Sequence, residues 1–275
     1  MSRNLSCLSR LTLSLLAAAT LASCETVQTT RPGAVGVERT QTMLVSSADV
    51  NRSAVQAYGQ ELKKAAAKGA LNRNAAQVAR VRVIAIRLAN ASGAFRPDAP
   101  GWAWETNVIS SKEINAWCMP GGKIAVYTGL IEKLNVTDDE LAAVMGHEIA
   151  HALREHGRER ASQAMAQGMA LSVLGIAVGA SDTSLQLAQI ITDITFNLPN
   201  SREHEIEADR IGVELAARAG YDPRAAVTLW QKMAKAAGNG PPQFLSTHPS
   251  PENRIRDLQV YAERVMPLYR SAAKR

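Results

Sequence analysis

The chain has 275 residues, of which 46% are apolar and 20% charged, a composition that excludes a disordered or fibrous protein and suffices for a sizeable core. Its 31 basic and 25 acidic residues leave a net charge of +6 without a long basic run. Only 4% are aromatic, which speaks against a nucleic-acid groove.

In chain order, residues 1–23 read as a lipoprotein signal peptide. Arg3 and Arg10 give the basic start, and residues 11–22 an apolar run too short for the roughly 20 residues that span a bilayer. Leu21-Ala22-Ser23-Cys24 resembles the bacterial lipobox, which implies acylation of Cys24 and a hold on a membrane surface without a spanning helix. By analogy with bacterial lipoprotein sorting, Glu25 directs the expectation to the outer membrane, with the protein facing the periplasm. Cys7 leaves with the leader and Cys24 takes lipid, so a disulfide framework is excluded. Cys118 is expected as a small buried apolar residue.

Residues 24–45 are polar, contain Arg31-Pro32-Gly33 and are expected to be a tether. Residues 46–100 predict an N-terminal helical segment, in which Gly69 separates two helices and Val78, Val81, Ile84 (or Ala85) and Leu88 make one apolar face. Gly93, Pro97, Pro100 and Gly101 close it, and a main domain over 101–270 follows. The expected class is α+β, mainly helical. Short β-prone runs at 106–110, 114–118 and 124–128, joined around Pro120-Gly121-Gly122, predict a small antiparallel sheet. Thr137-Asp138-Asp139-Glu140 is a capping-box sequence opening a helix to about Glu155. Asp222-Pro223 and Ser250-Pro251 each read as an N-cap followed by Pro at the first helical position. Residues 164–180 carry no charge and are marginal for spanning, and a helical hairpin beside the site is the expectation.

The informative segment is His147-Glu148-Ile149-Ala150-His151. Helical positions four apart differ by about 40° and about 6 Å, so the two imidazoles share a face and can hold one Zn²⁺ at about 2.0–2.1 Å. Glu148, about 100° round, can reach a water beside the metal without binding the metal itself. A metzincin needs Gly at 154 and His at 157, where this chain has Arg154 and Gly157. A thermolysin-like Glu some 20 residues on is missing too, because no acid occurs between Glu159 and Asp182. The next acidic cluster, residues 200–209, offers Glu203, His204, Glu205 and Glu207, among which helical geometry does not choose.

His-Glu-x-x-His followed by Ser-Arg-x-x-Glu-x-x-Ala-Asp at 201–209 resembles the HtpX and CAAX-protease type of gluzincin metallopeptidases, family forty-eight, over about residues 105–265. The resemblance implies a gluzincin-type fold with the small sheet beside the active-site helix, and one Zn²⁺ per chain held by His147, His151 and Glu205. It implies that Asp209 supports a ligand His from behind. It makes 120–130 similar to the family's substrate-edge strand region, so that an edge around residues 123–128 would hold extended substrate. The Thr247-His248-Pro249 motif puts His248 near the zinc as a donor to the oxyanion, while Arg254 is expected to orient a loop through a carboxylate or carbonyl. The implied activity is endoproteolysis with Glu148 as the base, acting on misfolded or unassembled envelope proteins. Partners are then polypeptide substrates, the membrane through its lipid, and envelope-assembly proteins, with no nucleic acid. Two rival readings are an envelope-assembly chaperone or scaffold with little proteolysis, and a zinc-stabilised structural domain with four protein ligands. Glu148 discriminates, because only hydrolysis needs it.

Overall fold

The computed structural model describes residues 25–173, 183–237, 243–249 and 253–272. The signal peptide, Cys24, the Ser250-Pro251 pair and residues 174–180 of the uncharged stretch lie outside them.

The chain enters as a ribbon in which β1 (Glu25–Val27) pairs antiparallel with β2 (Gln41–Met43). The loop between them sends Val35 and Val37 into the main apolar core. Residues 25–45 are therefore a packed strap and not the expected tether. Their polar composition misleads because several of these side chains are paired inside the protein. Gln41, for instance, is 1% exposed and donates through Nε2 to Glu159 and to the Arg154 carbonyl.

Ser46 caps α1 (Ser47–Ala67) and Asn74 caps α2 (Ala75–Ala91), each side chain accepting from a first-turn backbone N–H. Gly69, at φ +61°, breaks the chain between them. Val78, Val81, Ile84, Ala85 and Leu88 of α2 are buried, as their spacing predicts. One core cluster runs from Val35 through Leu88 to Val265. The segment 46–100 is thus built into the same core as the residues beyond 101 instead of forming a unit of its own.

Next come β3 (Glu105–Ile109), β4 (Ala116–Met119) and β5 (Lys123–Tyr127), in the order β3-β5-β4. The strands fall where expected, but the sheet is mixed: β5 runs antiparallel to β4 and parallel to β3. The run expected as the substrate edge is consequently the central strand, with both sides already paired. Its residues explain this placement. Ile124 and Val126 face the main core while Ala125 faces a second cluster with Val50, Ala54 and Tyr58, so β5 is apolar on both faces. The edges are β3, which Leu71 bridges at Ile109, and β4.

After α3 (Thr128–Lys133), a complete capping box between Thr137 and Glu140 opens α4 (Asp138–Leu153). This helix stops two residues before the expected end, because Glu155 takes φ +52° and the chain restarts as α5 (His156–Val173). Next, α6 (Thr183–Phe196) supplies Leu187 and Ile191 to the second cluster, and α7 (Arg202–Arg218) begins at the Ser201 cap. Asp222 accepts from the Arg224 N–H and so closes a turn, which starts α8 (Ala225–Ala236) later than Pro223 suggested. The short α9 (Gln243–Thr247) and α10 (Arg254–Ala272) complete the described chain.

What positions the site is the contact of α4 with α7. A Cβ on Gly212 would stand 2.8 Å from the His147 N, and one on Gly146 would stand 2.9 Å from the Gly212 O. The two backbones touch there, which only glycine on both sides permits. Among the described residues no helix is long and apolar enough to cross a membrane.

Candidate metal centre

From α4, His147 and His151 face Glu205 and Asp209 of α7, and His248 follows α9. The ligand atoms of His147, His151, Glu205 and His248 all lie within 4.8 Å of one another, and all four residues are buried. The two Nε2 atoms of His147 and His151 are 3.1 Å apart. Glu205 places one carboxylate oxygen 3.4 Å from His147 Nε2 and the other 3.3 Å from His151 Nε2. Donors at about 2.0–2.1 Å from a tetrahedral zinc are separated by roughly 3.3–3.4 Å. The donor set and its spacing therefore fit such an ion.

Asp209 stands behind His147, with Oδ1 2.9 Å from Nδ1. A carboxylate only accepts, so Nδ1 carries the proton and the Nε2 lone pair is turned toward the other donors. Arg254 bridges Glu205 Oε2 at 2.9 Å and Asp209 Oδ1 at 2.8 Å, and its guanidinium lies over the Trp230 ring. Burial by itself would raise the Glu205 carboxyl, but the facing His248 and His147 rings hold it well below the usual carboxylate range. Burial would lower His147, yet Glu205 and Asp209 outweigh this and push it up to about 9. In His151 burial prevails and the ring is held well below its ordinary value.

Glu148 lies beside this cluster and is not part of it. Among the described residues its buried Oε1 has no hydrogen-bond partner and lies 3.5 Å from His248 Nε2, and burial pushes its carboxyl up. His248 stands among the donors, its Nδ1 3.0 Å from Glu205 Oε1 and 3.2 Å from His147 Nε2. The cleft over the site is lined by Trp117, Cys118, Glu148, His151, Ile191 and Ile194. The edge strand β4 thus supplies its wall, in place of the segment 123–128. Cys118 is half-buried and free, and burial pushes its thiol up, away from the thiolate form.

Of the other acids at 200–209, Glu203 is 64% exposed and Glu207 is turned away to Arg39, Arg154 and His156. Sequence reasoning missed His156, whose Nδ1 is 2.9 Å from His151 Nδ1. On a continuous helix, five residues correspond to about 140° of rotation, which would place it off the metal face. Only the break at Glu155 brings the ring back. The signal available was three histidines within ten residues in a chain of five.

This arrangement is that of a metallopeptidase centre, and the sequence profile of peptidase family M48 matches residues 75–262. The chain belongs to that family. It is 37% identical over 158 residues to the mitochondrial metalloendopeptidase OMA1 of Arabidopsis thaliana, covering 58% of this chain and 31% of that protein. Its identity to the human mitochondrial metalloendopeptidase OMA1 is 37% over 185 residues, covering 62% and 34%. The beta-barrel assembly-enhancing protease of Escherichia coli is 31% identical over 172 residues, covering 58% and 35%. The chain thus matches about a third of the length of each of these relatives.

Proposed function

We propose that the chain is a zinc-dependent endopeptidase that hydrolyses misfolded or unassembled cell-envelope proteins, held by acylated Cys24 at the outer membrane and facing the periplasm. The observation that carries the hydrolytic reading is the buried Glu148 Oε1, without a hydrogen-bond partner among the described residues, beside four converging donors. Bound zinc supplies a Lewis acid that polarises a scissile carbonyl and lowers the pKa of water. Glu148 takes the proton of the attacking water at its open oxygen and returns it to the leaving amine, and a carboxyl raised by burial suits both steps. Extended substrate pairs with the free edge of β4, whose Trp117 and Cys118 line the cleft. Backbone pairing of this kind makes sequence selectivity broad. The Escherichia coli relative is a beta-barrel assembly-enhancing protease, which supports the envelope setting, and the lipobox resemblance of residues 21–24 supports the anchor.

His248 favours a second reading. Four protein donors around one ion would describe a closed structural site, whereas in hydrolysis His248 would stay off the ion and serve as a donor to the oxyanion. Glu148→Gln separates the two. Casein digestion should fall by about 10²–10⁴-fold with zinc content unchanged. Undiminished cleavage overturns Glu148 as the base, and a wild type that holds zinc without cleaving supports the structural site. For the anchor, Cys24→Ser should move the protein from the membrane pellet to the soluble fraction, since each buried CH₂ of lipid contributes about 0.8 kcal/mol. Retention in the pellet overturns it.

A further inference from the structure

The strap and the metal centre are joined by a chain of buried polar contacts that the hydrolytic mechanism does not use. Arg39 of the strap donates through Nε to Glu207 Oε1 at 2.8 Å, and Arg154 donates through Nε to Oε2 of the same carboxylate at 3.0 Å. Glu207 Oε2 lies 2.9 Å from His156 Nε2. His156 Nδ1 in turn lies 2.9 Å from His151 Nδ1. The His156 ring is 1% exposed and stacked on His204, with centroids 4.2 Å apart and planes 14° apart, so its orientation is fixed.

The direction of these bonds follows from what each atom can do. A carboxylate only accepts, so His156 Nε2 carries the hydrogen that goes to Glu207. In the neutral ring Nδ1 is then bare and accepts. Its neighbour, His151 Nδ1, must therefore donate. That leaves His151 Nε2 with its lone pair directed at Glu205 and His147, the tautomer a metal ligand requires. Asp209 performs this service for His147 in one step. For His151 it takes two, through a second histidine whose position depends on the chain break at Glu155.

We propose that His156 is a positioning residue for His151, held by Glu207, and that the strap residue Arg39 belongs to the metal site through this relay. The proposal rests on reading His151 as a metal ligand. It makes the segment that follows the acylation site part of what keeps the metal in place. Arg39 also pairs with Glu159, so one strap side chain ties down both carboxylates beneath the histidines.

The test compares zinc dissociation constants, by chelator competition, of the wild type, His156→Phe, Arg39→Met and His151→Ala, with far-UV circular dichroism as the check of folding. It adds long-range ¹H–¹⁵N spectra of the histidine rings in the zinc-loaded wild type. His156→Phe keeps an aromatic ring on His204 but removes both nitrogens, and should weaken zinc binding by about 10–100-fold. Arg39→Met should weaken it by less than about tenfold, because Arg154 still holds Glu207. The wild-type spectra should show His156 protonated at Nε2 and bare at Nδ1, a signature that a merely space-filling ring has no reason to give. A folded His156→Phe protein that binds zinc as tightly as the wild type overturns the proposal, and so does a proton on His156 Nδ1. The spectra decide alone if His156→Phe fails to fold. A wild type that takes up no zinc, or a His151→Ala protein that binds it undiminished, overturns instead the ligand assignment beneath.

Discussion

Glu148 and Glu207 are both buried carboxylates at the histidine cluster, yet they are treated in opposite ways. Glu148 has an oxygen with no hydrogen-bond partner among the described residues and a carboxyl pushed up by burial. Glu207 is filled by Arg39, Arg154 and His156, whose bonds outweigh burial and hold its carboxyl below the usual range. An unpartnered buried polar group costs about 1–3 kcal/mol and persists where chemistry needs it, whereas a filled one stabilises and orients. The strap side of His151 is therefore filled by ion pairs, and the cleft side keeps a carboxylate oxygen open, as the proposed base requires. Two clusters of similar composition are told apart by what each atom is bonded to.

The contrast is broken most strongly by removing a donor. Glu205→Ala should lose its metal on dialysis and with it all hydrolysis, read by elemental analysis and casein digestion, although its fold is retained. On the scaffold side, Arg154→Met removes a guanidinium that is 0% exposed and takes a charged partner from Glu207 and a donor from Thr29, Thr30 and the Arg39 carbonyl. It should cost about 3–5 kcal/mol in denaturant unfolding, the usual consequence of breaking a buried ion pair. Gly212→Ala sharpens the role of the helix contact, since the added methyl meets the backbone at His147. A loss of about 1–3 kcal/mol is expected, together with weaker metal binding as α4 and α7 are forced apart.

A smaller effect distinguishes the clusters by acid. In Glu159 and Glu207 burial raises the carboxyl, but Arg39, His156, Arg154 and the neighbouring His204 and Gln41 outweigh it and hold both well below the usual carboxylate range. The folded state thus binds protons less readily than the unfolded one. Their contribution is complete above about pH 4.5 and declines as the pH falls below it. Unfolding free energy measured from pH 6 to 3 should drop over that window, and Arg39→Met should flatten the drop. The smallest change is expected at Glu203, where the exposed side chain makes Glu203→Ala neutral within about 0.5 kcal/mol and without effect on metal content.

The local signals were legible in the residues alone. The capping box at Thr137 and Glu140, the buried face of α2 and the shared face of His147 and His151 all follow from helical periodicity, which acts over one or two turns. A family resemblance, rather than periodicity, was needed to choose Glu205 from among four candidates, because that choice depends on which face of α7 meets α4. The order of the sheet was not legible either. The hairpin at Pro120-Gly121-Gly122 was foreseen, but the insertion of β5 between β3 and β4 is a pairing over a distance that no local pattern encodes.

The strap escaped for a related reason, since polar residues without periodicity look the same whether solvated or paired. Arg39 and Gln41 become structural only once Glu159 and Glu207, more than a hundred residues away, are brought beneath them. Local pattern thus carries the helix starts and the shared face of His147 and His151, because those depend on neighbours within a few residues. The tertiary structure alone decided which lone pairs converge, which carboxylate is left open, and that His156 turns back to His151 where the chain breaks at Glu155. These depend on groups distant in the chain, whose positions are set by packing.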